Sequence, residues 1–138
     1  MLIDPERLPR LAVPFMNEDH LQEARLINAA ADRLEELRAA KVGVAQVNAA
    51  LDALYAHTRE HFAREESAMM DASFPAYAFH QAEHVRILGE LGEAQRRFQE
   101  SGKVDALARY LATFPNWFEQ HIASMDSVTA RYVAEWGG

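Results

Sequence analysis

From Asn17 onward the apolar positions of this chain recur at alternating steps of three and four, the period that lays a single stripe along a helix. Four such stripes can be followed. The first runs through His20, Ala24, Ile27, Ala31 and Leu34 and stops near Gly43; the second runs through Val47, Leu51, Leu54, Thr58, His61, Glu65 and Ala68. The third takes Tyr77, His80, His84, Ile87, Leu91, Ala94 and Phe98 up to Ser101-Gly102, and the fourth takes Leu107, Leu111, Phe114, Phe118, His121, Met125, Val128 and Tyr132. Breakers separate them: "KVG", "SFP", with Pro75 suited to a first helical turn, and "SGK". Connections this short favour antiparallel neighbours, so the pattern predicts an all-α, up-and-down antiparallel four-helix bundle over residues 17–138. Prolines at 5, 9 and 14 keep residues 1–16 from being a regular helix, and these are expected to form a non-helical arm lying over the bundle. Pro115 lies inside the fourth stripe and is expected to kink that helix or divide it.

These stripes carry residues that a bundle interior normally excludes, and their heights along the helices coincide. At about 1.5 Å per residue, His61 and Glu65 stand roughly 18 and 12 Å before the "SFP" turn, while His80 and His84 stand roughly 10 and 16 Å after it. His84 is about 27 Å before the "SGK" turn and His121 about 28 Å after it; His61 is about 27 Å past Gly43 and His20 about 34 Å before it. Each predicted helix thus brings a histidine to nearly the same layer. A buried polar group must find a partner or cost several kcal/mol. Neutral imidazoles satisfy one another poorly, but all of them can give lone pairs to a cation that also neutralises nearby carboxylates.

Composition narrows the chemistry. The chain has no cysteine, so a metal must be held by nitrogen and oxygen, and thiolate nucleophiles and disulfides are excluded. Its 138 residues suit one globular domain with a proper core. A formal charge of -7 opposes phosphate backbones, so no nucleic-acid partner is expected. The first residues, "MLIDPERLPRLAVPF", carry acids and prolines where a leader would be basic and then apolar, and no run reaches membrane-spanning length. A cytoplasmic protein without membrane association is therefore expected.

The spacing of the polar residues then meets a known pattern. "HFAREE" places His61 and Glu65 four apart, "HQAEH" places His80 and His84 four apart, "WFEQHIASMD" places His121 and Asp126 five apart, and "MNEDH" ends in His20. In these motifs the chain resembles the hemerythrin-like, HHE-type family from about Asn17 to Val133, with all of the family's ligand positions filled in order. Trp117, one turn before His121, and "LINAA" after His20 also resemble it. The resemblance implies two iron ions bridged by the carboxylates of Glu65 and Asp126 and by a solvent-derived oxo or hydroxo group. It implies His80, His84 and His121 on one iron and His20 and His61 on the other, which keeps an open position for dioxygen or another small diatomic ligand. His57 matches none of the family's ligands; it stands where relatives often carry tyrosine, and a hydrogen bond to a ligand or plain packing is expected of it. Ala24, Ile27, Phe62, Phe118 and Trp117 are expected to wall the open position with apolar surface.

One spacing carries a structural expectation of its own. A step of five turns about 500° on a regular helix, leaving Asp126 about 140° away from His121, so both cannot point inward. A wide turn with an i to i+5 backbone bond is expected between about residues 120 and 127. Carboxylate-rich di-iron bundles favour higher oxidation states through their hard anionic ligands, whereas a histidine-rich shell favours binding over turnover. Reversible dioxygen binding for transport, storage or sensing is thus the leading expectation. Alternatives are a di-iron enzyme handling iron, peroxide or nitric oxide, an iron- or redox-responsive regulatory module, and a bundle holding zinc or no metal.

Overall fold

The computed structural model of the protein describes residues 1–137. Its long helices are α1 (Pro14–Arg38), α2 (Val44–Asp71), α3 (Tyr77–Ser101) and α4 (Val104–His121), and α4 continues through a π-helical segment, Ile122–Asp126, into α5 (Ser127–Trp136). The last three pieces make one rod, so the described residues form a four-helix bundle without strands. Helix α1 packs on α2 and α4, and α3 packs on the same two, which closes the ring of four. No helix among the described residues is long and apolar enough to cross a membrane.

The expected stripes face inward except at the end of the fourth, where the extra residue of a wide turn at Ile122–Asp126 shifts the register, leaves Val128 49% exposed and buries Asp126, Thr129 and Ala130 instead. Ala24, Ile27, Leu34, Val47, Leu51, Leu54, Ile87, Leu91, Phe98, Leu107, Leu111, Phe114 and Phe118 form one continuous buried cluster that fills the bundle on the side of the α3–α4 turn. Burying each such side chain contributes about 1.5–3 kcal/mol. Ile3, in the arm, is also a member of this cluster.

The arm and helix ends differ from the sequence expectation in instructive ways. The first helix begins at Pro14 rather than near Asn17, because Pro14 occupies the first turn, where a missing N–H costs nothing. The arm is not wholly irregular either, since Pro5–Arg7 form a 3-10 turn capped by Asp4. Two asparagines of α1 hold it down. Asn28 Oδ1 accepts from the N–H groups of Leu2 and Ile3 and its Nδ2 donates to the Ile3 carbonyl, while Asn17 makes the same paired contact with Leu11.

Helix α1 ends at Arg38, well before Gly43. Lys41 N–H donates to the Glu36 carbonyl around Ala40, which takes the left-handed φ of 57°, a conformation usually left to glycine. Gly43 instead caps the start of α2, where its N–H donates to the Gln46 side chain. Pro75 lies in the turn before α3 rather than in its first helical turn. There the Tyr77 N–H donates to the Phe74 carbonyl across Pro75, whose fixed φ suits that turn. Pro115 does not divide its helix: α4 runs through it from Val104 to His121. Leu111, Phe114 and Phe118 are buried on both sides of the proline, and this packing holds the helix against an interior proline penalty of about 3 kcal/mol.

Candidate metal centre

The break in regular α-geometry falls where the five-residue step required it. The Ser127 N–H donates to the carbonyl of Ile122, an i to i+5 bond, and the segment between is one turn of π-helix. The widened turn rotates Asp126 back to the face occupied by His121. Both side chains are buried, as are those of His20, His61, Glu65, His80 and His84. All seven residues anticipated as metal ligands therefore converge within one layer of the bundle, with ring centroids of His80 lying 4.5 Å from His84 and 5.0 Å from His121, and His20 lying 5.2 Å from His61.

The layer divides into two halves that share its carboxylates. On one side, Asp126 Oδ1 lies 2.9 Å from His80 Nε2 and 3.1 Å from His121 Nε2, and Glu65 Oε1 lies 3.2 Å from His84 Nε2. On the other side the second oxygen of each carboxylate serves the second histidine pair. Asp126 Oδ2 lies 2.9 Å from His20 Nε2, and Glu65 Oε2 lies 2.8 Å from His61 Nε2. Each carboxylate thus faces both halves, the disposition of a bridge.

Unpaired atoms mark the same place. The Nε2 atoms of His80, His84 and His121, with Glu65 Oε1 and Asp126 Oδ1, are buried without a hydrogen-bond partner, although each would cost about 1–3 kcal/mol if left so. These five residues offer donors within 4.8 Å of one another, as do His20, His61 and Glu65. Donors about 2.1 Å from a six-coordinate ion stand about 3 Å apart, close to the separations found here. The residues present fit two N/O-ligated cations.

Electrostatics point the same way. Burial pushes the Asp126 carboxyl up, but the close approach of the His121, His20 and His80 rings outweighs it and holds the group well below the usual range. Glu65 is also lowered, since contacts with His61 and His20 overcome burial and the repulsion of Asp126. In the metal-free chain burial depresses His20 and His61, yet the carboxylates win: His20 is raised, mainly by Asp126 and Glu65, and His61 well raised, by Glu65 and Glu23.

The ring atoms turned away from the centre are held as well. His80 Nδ1 donates to Thr129 Oγ1 at 2.8 Å, and His84 Nδ1 donates to Glu66 at 2.9 Å, which leaves Nε2 of each ring facing inward. Of the expected apolar wall, Phe118 stands edge-on to His20 at 5.6 Å with Ala24 and Ile27 in the same cluster, and Phe62 stacks flat on His84 at 3.9 Å. Phe62 and Trp117 thus both stand against the half that holds His84 and His121, where Trp117 stacks on His121 at 4.8 Å and donates from Nε1 to Glu83; Phe62 also lies 5.2 Å from His61. Glu83 is held down to about 2, chiefly by its hydrogen bond with Arg86. His57 donates from Nε2 to the Asp19 carbonyl at 3.1 Å, so it does hydrogen-bond beside the site, but to backbone.

Sequence reasoning passed over Glu23, Glu66 and Thr129 as partners of these rings. Glu23 had a legible signal, because it lies three residues after His20 and four before Ile27, on the buried side of α1. Thr129 and Glu66 had none, since only the packing of helices brings them to His80 and His84.

Comparisons with known proteins agree with this geometry. The profile of the hemerythrin HHE cation binding domain matches residues 11–133. A bacteriohemerythrin from Ralstonia nicotianae is 37% identical over 120 residues, covering 86% of this chain and 80% of the relative. One from Aquifex aeolicus is 29% identical over 136 residues, covering 98% of this chain and all of the relative, and one from Methylococcus capsulatus is 25% identical over 116 residues.

Proposed function

The chain belongs to the hemerythrin family of HHE cation-binding domains, and from that premise we propose that it binds dioxygen reversibly at a pair of irons. His80, His84 and His121 would hold one iron and His20 and His61 the other, with Glu65 and Asp126 each offering one oxygen to either set. The observation that carries this reading is the split of each carboxylate, with one oxygen toward each histidine set. When bound, such a pair would supply reversible redox chemistry and a place for a diatomic ligand.

The protein's own part is orientation and exclusion. Thr129 and Glu66 fix the His80 and His84 rings with Nε2 inward, and the π turn aims Asp126. Phe118, Ile27 and Ala24 line the His20 side with apolar atoms and keep water from the ion that has only two imidazoles. A dry wall of this kind favours release of the diatomic ligand unchanged over its loss as a charged, reduced species. The name bacteriohemerythrin shared by the relatives supports the same reading.

Metal analysis of the purified chain, with spectra taken anaerobically and after air is admitted, tests it. The expected result is two irons per chain and a visible charge-transfer band that appears in air and fades under argon. Sustained turnover of hydrogen peroxide, nitric oxide or ferrous iron at enzymatic rates would replace the carrier reading with the enzyme reading, and zinc with no iron would remove both.

A further inference from the structure

Glu23 is a carboxylate with 1% of its surface exposed, deep in the seam between α1 and α2, and no role in binding the two irons has been assigned to it. Its Oε1 lies 3.3 Å from His61 Nδ1, the ring atom opposite the one that faces Glu65. Its Oε2 lies 2.5 Å from the Thr58 hydroxyl, which also sits 2.7 Å from the Leu54 carbonyl. A hydroxyl has one proton, and the charged acceptor takes it in preference to a carbonyl already engaged in the helix.

The surroundings hold this carboxylate still. His57 Nε2 lies 3.6 Å from Glu23 Oε1 and donates to the Asp19 carbonyl, and the Asp19 side chain takes both arms of the Arg64 guanidinium at 2.7 and 2.8 Å. On the same half of the layer, His20 Nδ1 meets no hydrogen-bond partner among the described residues. Among the described residues Glu23 is thus the one side chain that hydrogen-bonds an outward Nδ1 on the His20–His61 half. Glu66 makes the equivalent contact with His84, but its side chain is 22% exposed against 2% for that of Glu23, so solvent weakens its field.

We propose that Glu23 is a positioning residue for the metal centre: it fixes His61 with its proton on Nδ1, turns Nε2 to the cation shared with His20, and makes that imidazole a stronger donor. This rests on the di-iron reading above. A buried negative charge behind one ligand makes the two halves unequal, and the half it strengthens is the one with fewer protein ligands. Glu23, His57 and His61 also stand close enough to hold a cation of their own, but that would strip His61 of both ring protons while His57 is engaged with Asp19.

The test compares wild type, Glu23→Gln and Glu23→Leu as full-length protein. The readouts are iron content, chelator competition, midpoint potential, and ¹⁵N shifts of the histidines in the zinc-loaded form. In both variants the Thr58 hydroxyl can turn its proton to the Leu54 carbonyl and His57 retains the Asp19 carbonyl as acceptor, and circular dichroism checks the fold. Glu23→Gln is expected to lower affinity for one of two metals about tenfold and Glu23→Leu up to about a hundredfold. The midpoint potential rises as negative charge is removed, and the Nδ1–H signal of His61 loses its carboxylate-bonded shift. Wild-type affinity, potential and His61 shifts in both variants would overturn the proposal while leaving the di-iron reading intact. Failure of the wild type itself to hold two metals would overturn both. Three metals in the wild type falling to two in Glu23→Gln would make Glu23 a ligand of a separate cation and overturn the positioning role.

Discussion

His121 and Asp126 face the same point in the bundle only because the Ser127 N–H bonds to the Ile122 carbonyl five residues back. The bond lengthens one turn of the fourth rod, and that single extra residue converts a 140° divergence, estimated at about 100° per residue, into convergence. The turn has a purpose only if Asp126 does, since a π turn is less favourable than the α-helix it replaces.

Asp126→Asn is the first prediction that follows. The variant keeps shape and helicity but loses one of the two carboxylates that face both histidine sets, and metal affinity is expected to fall by more than about a hundredfold, beyond what loss of an outer partner costs. Chelator competition measures it. Undiminished binding would mean that the π turn serves something other than metal.

Acidity gives the second prediction. His20 and His61 are raised in the metal-free fold, so their contribution to stability is full below about 6.5 and is lost as pH climbs through the raised values. Glu65 and Asp126 are lowered, so theirs is present above about 4 and is lost as pH falls through the lowered values. Melting of the metal-free protein should therefore peak between about pH 4.5 and 6.5. Metal must displace those ring protons, so its affinity should rise with pH, with proton release visible by calorimetry in buffers of different ionisation enthalpy. A melting profile flat from pH 4 to 8 would contradict the pairing.

Phe118 gives the third. It is fully buried against His20 and belongs to the main core, so Phe118→Leu should cost about 1–1.5 kcal/mol in chemical unfolding. The iron-loaded variant should also lose its air-induced colour irreversibly faster than the wild type, because water gains access. Equal colour lifetimes would remove Phe118 from the wall.

The fourth concerns the backbone alone. Ala40 holds φ at 57° at the end of α1, where a Cβ costs about 1–2 kcal/mol. Ala40→Gly should stabilise the fold by about 1 kcal/mol, less the entropy gained by the unfolded chain. Unchanged or lower stability would show that the turn carries no such strain.

What the sequence determined by itself was periodic or local. Stripe spacing set the helices and, up to His121, their inward faces, helix rise set the common height of His20, His61, His80, His84 and His121, and the five-residue step from His121 to Asp126 demanded a wide turn, which in turn moved Val128 out of the stripe. Each of these depends on intervals along one chain, which a fixed helical geometry converts directly into space. Helix ends were less legible: α1 starts at Pro14 and stops at Arg38, and α4 runs through Pro115, because packing between helices outweighs local propensity at such places. Only the tertiary structure decided which oxygen of Glu65 and Asp126 faces which histidines, and that Glu23, Glu66 and Thr129 stand behind His61, His84 and His80. Those pairings join residues on different helices or depend on one rotamer, and no interval along the chain encodes either.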